Sequence, residues 1–121
     1  MRRFQDAWAE VDIPAIMRPL GADAVLSMPP EGARFDGAEA IGAFFATVPL
    51  EGRLDRISLV EARANGQPAL AAHAQDPSDG VRRAYGVMVF ACTGEQIVGI
   101  TGFPQPELFA RFGLPDTVPC D

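Results

Sequence analysis

The chain has 121 residues, 48% hydrophobic and 21% charged, which suits one compact domain with a single core and argues against disorder. Its formal net charge is −6 and its pI about 4.6, so it lacks the basic face that direct nucleic-acid binding needs to release phosphate counterions. All 10 basic residues are arginine, which excludes lysine Schiff-base chemistry and Walker-type phosphate loops.

In chain order, Phe4, Ala7, Trp8 and Val11, then Ile16, Met17 and Leu20, recur at spacings of three and four. That spacing predicts an amphipathic helix over residues 3–19, broken near Pro14 with a second short helix beyond Asp12. "DAVLSMPP" reads as a short strand from Ala24 to Met28, closed by prolines that cannot donate to a ladder. "ARFDG" fits a partner strand or an extended loop. "GAEAIGAFFATVP" predicts a helix of about three turns, with Ile41, Phe44 and Phe45 on its apolar side.

From Arg53 the hydrophobic period changes to two. "RLDRISLVEARA" alternates, Asn65-Gly66 marks a tight turn, and "QPALAAHAQD" is the return strand. "VRRAYGVMVFAC" and "EQIVGITGF" are two further strands across a turn, and "PQPELFARFGLP" is a short amphipathic segment stopped by Gly113 and Pro115. This order predicts an α+β fold: helices against one face of a curved, mostly antiparallel sheet, giving a cone-shaped barrel with an interior pocket. One domain is expected over 1–121, with its core over about 4–115.

One histidine and two cysteines, Cys92 and Cys120, cannot build a multi-histidine zinc site or a disulfide scaffold. No metal and no cofactor are expected, and Cys92, at the end of an apolar run, reads as a buried thiol. No apolar run approaches the roughly 20 residues needed to cross a bilayer, and no signal-peptide pattern opens the chain. No membrane association is expected, and the cytoplasm is the expected compartment.

The motifs "SMPP", "FDGAEAIGAFF", "ARANGQPAL" and "ITGFPQPELFARFGLP" together resemble the SnoaL-like domain of the nuclear-transport-factor-2-like superfamily. More narrowly, they resemble the C-terminal accessory domain of one group of actinobacterial extracytoplasmic-function sigma factors. The resemblance spans about Phe4 to Pro115. It implies a conical α+β barrel, a pocket between sheet and helices, and a homodimer through the sheet. The superfamily holds both cofactor-free enzymes and non-catalytic binding domains, so the fold leaves function open. This chain departs from the sigma-linked pattern at Arg34-Phe35, where those domains carry a tryptophan, and at Gln105, where they carry an acid. Arg34 would put a cation near the pocket mouth, or serve as a solvated loop arginine.

Strict alternation places Ala69, Ala71, His73 and Gln75 on one side of their strand. It sets Arg83, Tyr85, Val87 and Val89 against Ala84, Gly86, Met88 and Phe90, and groups Ile97, Gly99, Thr101 and Phe103. Catalytic members of the superfamily place carboxylates inside the cone. The two final strands here carry none on an interior stretch, and Glu61 reads as a solvated ladder charge. His73 is therefore the candidate general base, with Tyr85 to polarise a carbonyl or hold the imidazole. The alternative is a structural histidine in the sheet. Trp8, Met28, Phe35, Phe44, Met88 and Phe103 are candidate ligand contacts, with Thr101 as a hydrogen-bond donor. They describe a pocket for a small hydrophobic molecule. Two readings follow: a small-molecule-binding, regulatory domain, or a cofactor-independent cyclase, isomerase or epoxide hydrolase with His73 as base. An interaction module whose sheet face pairs with itself or a partner is a third.

Overall fold

A computed structural model of the chain describes residues 2–28, 32–47, 53–64, 66–75, 80–94, 96–103, 107, 109 and 117–118. The turn residue Asn65, Pro104 to Pro106 of the final "FPQP" motif and most of the expected C-terminal amphipathic segment lie outside them, as does Cys120.

The N-terminal pattern folds as two helices, α1 (Arg2–Ala9) and α2 (Ile13–Met17). The break precedes Pro14. Val11 donates its N–H to the Trp8 carbonyl at 3.0 Å, and Asp12 donates to the Ala7 carbonyl at 2.9 Å, with Val11 at φ 53°. These two bonds and one left-handed residue end α1 in a Schellman motif, with valine where glycine is usual. Asp12 then turns to cap α2, accepting the Ala15 N–H at 3.2 Å, and Pro14 sits in the first turn, where its missing N–H costs nothing.

The first strand is longer than expected, β1 (Leu20–Met28), and "ARFD" is its antiparallel partner β2 (Ala33–Asp36). Gly37, at φ 91°, donates to the Ala24 carbonyl at 2.7 Å and starts helix α3 (Ala38–Thr47). After a 3-10 turn at Leu54–Arg56 come the meander strands β3 (Ile57–Ala64), β4 (Gln67–Gln75), β5 (Arg82–Thr93) and β6 (Gln96–Phe103). A short β7 (Thr117–Val118) pairs with the start of β5.

The strand order is β2-β1-β6-β5-β4-β3. Among the described strands only β1 and β6 run parallel. The expected α+β fold, a curved and mostly antiparallel sheet against helices, is present, with the sheet left open rather than closed into a barrel, since β2 and β3 remain its two edges. Gln5 Nε2 donates to the Leu59 carbonyl at 3.3 Å, tying α1 to the edge strand β3.

Two apolar layers result. The main core lies between the helices and one sheet face and is built on Phe4, Trp8, Ile16, Leu26, Ile41, Phe45, Leu70, Phe90 and Ile100. A smaller layer on the outer face joins Ala69, Ala71 and Val87 to Phe109. Each large apolar side chain taken from water contributes about 1.5–3 kcal/mol, so the main layer dominates stability. Helix packing depends on Gly42. A Cβ there would run into Met17 Sδ and lie 2.7 Å from its Cγ, so the Met17 side chain occupies the space that the missing side chain leaves between α2 and α3.

Two bulges break the strict alternation expected for β5 and β6. Ala72 pairs with Gly86 but His73 pairs with Ala84, leaving Tyr85 as an extra residue. Ala91 pairs with Gly99 but Cys92 pairs with Ile97, leaving Val98 extra. One extra residue inverts parity beyond it. Tyr85 therefore packs on the main core instead of beside Val87, Ala84 joins the outer layer, and Ile97 joins the main core apart from Thr101.

Candidate ligand-binding site

The helix-facing side of the sheet carries most of the candidate ligand contacts. Leu26 pairs with Phe35, so Phe35 and Met28 share the face of Leu26, and both are half-buried against the main core. Phe35 touches Phe44 with ring centroids 4.9 Å apart, Phe44 meets Phe45 at 5.4 Å, and Phe45 meets Trp8 at 5.2 Å. Offset and edge-to-face contacts of this kind hold aromatic rings in fixed orientations. The rings thus run from a partly open end at Phe35 to a fully enclosed one at Trp8.

The sheet beneath is made of small residues. Ala72 faces Gly86 across β4 and β5, and Gly102 faces Met88 across β5 and β6. A Cβ on Gly102 would stand 3.3 Å from Met28 Cγ, so Met28 lies directly over that glycine. Tyr85, turned inward by the bulge, adds a phenol to this face. Five of the expected ligand contacts, Trp8, Met28, Phe35, Phe44 and Met88, thus belong to one layer.

Thr101 and Phe103 do not join them. They pair with Val89 and Val87, which belong to the outer layer, and residues directly opposite in an antiparallel ladder point to the same face. The pair His73 and Tyr85 is also divided. His73 is fully buried on the outer face, edge to face with Phe109 at 5.0 Å, whereas Tyr85 packs on the inner one. A sequence signal for the division of His73 from Tyr85 was Gly86, a single glycine inside a strand pattern, which often marks a bulge.

The electrostatics of the inner face are plain. Among the described residues His73 is the only buried polar or charged side chain apart from the aromatic Trp8, and it lies on the other face, while the half-buried Tyr85 lies on the inner one. Every described carboxylate is exposed except Asp12, which caps α2. Glu61 is exposed, as expected. Arg34 is exposed and pairs with Asp36 at 2.9 Å, so its charge is met within β2. Cys92 is exposed, against expectation, two residues before the turn at Gly94. No three His, Cys, Asp or Glu among the described residues group to hold a metal ion, and no helix is long and apolar enough to cross a membrane.

The polar atom that sequence reasoning missed is Trp8 Nε1. Trp8 is 3% exposed, and its indole nitrogen is buried without a hydrogen-bond partner. Nothing in the sequence distinguishes such a tryptophan from an ordinary core one.

No protein-family model matches the chain. It is 30% identical over 123 residues to the ECF RNA polymerase sigma factor SigG of Mycobacterium tuberculosis, an alignment that takes in 98% of this chain. The chain spans about a third of that sigma factor's length (31%). An NTF-2 like protein of unknown function from Burkholderia xenovorans superposes with a TM-score of 0.66 over 92% of this chain and 88% of its own, at 16% identity. A computationally designed 17-OHP binder superposes with a TM-score of 0.60 over 84% of this chain and 85% of its own, at 20% identity. The resemblance read from the motifs is borne out: the chain has the nuclear-transport-factor-2-like fold and is related in sequence to part of an extracytoplasmic-function sigma factor.

Proposed function

We propose that this domain binds a small, mostly hydrophobic molecule between its helices and the curved sheet, lined by Trp8, Met28, Phe35, Phe44 and Met88. The observation that carries this reading is the composition of the inner face: aromatic and sulfur-containing side chains over a floor of Ala72, Gly86 and Gly102, with all described carboxylates outside it. Such a face offers shape and apolar area but no group with which to move a proton at neutral pH. A designed protein of this fold that binds 17-OHP is a further support. The relation to a sigma factor favours a regulatory role in the cytoplasm, with ligand occupancy as the signal. A homodimer through the sheet would use the outer face, around the already buried Phe109.

The second reading, a cofactor-independent cyclase, isomerase or epoxide hydrolase with His73 as base, has less support, because His73 and Tyr85 face opposite sides of the sheet. Trp8 is the only tryptophan, so intrinsic fluorescence reports on this layer alone. Titration with a panel of neutral polycyclic ketones and alcohols is expected to give a saturable change in its emission. A flat response across the panel from folded protein would reject the binding reading. Saturable turnover lost in His73→Ala would favour the enzyme.

A further inference from the structure

The main core is apolar on every side of Trp8 for which a ring contact is seen. Phe4 stands 6.0 Å away and Phe45 5.2 Å, centroid to centroid, and neither offers a hydrogen-bond acceptor. The indole N–H is a donor only. Phenylalanine at this position would fill similar space with no polar group to satisfy, so the nitrogen is a cost to the folded chain unless something accepts its proton. The ring series Trp8, Phe45, Phe44 and Phe35 links that nitrogen's residue to the half-buried end of the same layer, where a ligand would enter.

Resting on the binding reading above, we infer that the ligand is a neutral molecule carrying a carbonyl, ether or hydroxyl oxygen that accepts the Trp8 Nε1–H, with its hydrocarbon body against Phe44 and Met88. Neutrality follows from the surroundings. An anion buried here would find no buried cation among the described residues, since Arg18, Arg34, Arg53 and Arg83 are exposed and Arg56 and Arg82 only half-buried, and an unpaired buried charge is costly. The acceptor, rather than the apolar body, then sets which of many similar hydrophobic molecules is held, because a lone buried donor penalises a ligand that leaves it unmet.

The test compares 2-acetylnaphthalene with 2-ethylnaphthalene, which match in size and differ in the carbonyl. Binding is followed on the one indole N–H resonance of the nitrogen-15-labelled protein. The ketone is expected to bind about three- to tenfold more tightly, as one net hydrogen bond provides, and to move the indole proton downfield further than the hydrocarbon does. In Trp8→Phe, which has no indole and is followed by calorimetric titration of both compounds, the preference for the ketone over the hydrocarbon is expected to disappear, whatever the change in overall affinity. Equal affinities with an indole proton indifferent to the carbonyl overturn the inference and leave the binding reading standing. If neither compound binds, both fall. If Trp8→Phe does not fold, the comparison on the unaltered protein decides alone.

Discussion

His73 and Phe109 meet edge to face on the outer side of the sheet, ring centroids 5.0 Å apart and planes at 85°. Both are fully buried, and both belong to the layer opposite the helices. The contact fastens a residue from beyond β6 over Ala69, Ala71 and Val87, and it spends the only histidine on packing against a ring. Phe109→Ala is expected to lower stability by about 3 kcal/mol, since it strips a large ring from a closed layer. His73→Ala is expected to destabilise as well, with ligand affinity unchanged. Urea unfolding, together with Trp8 fluorescence titration, checks both. A His73→Ala protein of normal stability and lost affinity would contradict this division of the faces.

Phe35 and Phe103 were equal candidates by residue type, and the two sheet faces separate them. Phe35→Ala is expected to weaken binding of a hydrophobic probe about tenfold, in line with the loss of part of a buried aromatic contact. Phe103→Ala, on the outer face, is expected to leave affinity within about twofold. Reversed results would mean that ligands use the outer face.

Val11 offers a gain in stability. A β-branched residue at φ 53° pays for its Cβ against the following carbonyl, and its side chain is exposed, so little packing is lost on removal. Val11→Gly is expected to stabilise the fold by about 1 kcal/mol, net of the extra freedom glycine brings to the unfolded chain. Thermal unfolding at one protein concentration measures it, and a lowered Tm would refute the strain argument.

Gly42 predicts the opposite of the usual helix rule. An interior Gly→Ala change normally favours a helix by about 1 kcal/mol. Here the new methyl meets Met17 Sδ and Cγ, and overpacking of this kind costs about 1–3 kcal/mol. Gly42→Ala is expected to lower stability, and Met17→Ala in the same chain to restore part of the loss. Strictly additive effects of the two substitutions would show that the residues do not collide.

Arg53 and Asp55 form an exposed ion pair, Nη2 to Oδ2 at 3.1 Å. The side-chain hydrogen bond from Arg53 holds the Asp55 carboxyl below its ordinary value. A carboxylate whose folded pKa is lowered contributes stability above its unfolded pKa and loses it as the pH falls through the folded value. Solvent screening keeps that contribution small. Asp55→Asn is therefore expected to have a Tm slightly below the parent's at pH 7, with the difference vanishing in acid. A difference that grows on acidification would have the wrong sign for this pair.

The sequence by itself determined the elements and their order. Phe4, Ala7 and Trp8 at helical spacing, the change to period two after Arg53, and glycine at the Gly66 and Gly94 turns are local signals, each caused by how neighbouring side chains and backbone angles fit. They also separated most apolar residues from solvated ones, as the buried Ile41, Phe44 and Phe45 and the exposed Glu61 attest. Only the tertiary structure decided which apolar residues meet. Alternation fixes sides relative to a neighbour in the same strand, and one unpaired residue at Tyr85 and another at Val98 reverse that relation. The bulge at Tyr85 divided it from His73, while the pairing of β5 with β6 set Thr101 and Phe103 apart from Met88. Whether a buried indole finds an acceptor is likewise a matter of what surrounds it in space, which is why Trp8 could be read as core from its spacing but as a waiting donor only from its neighbours.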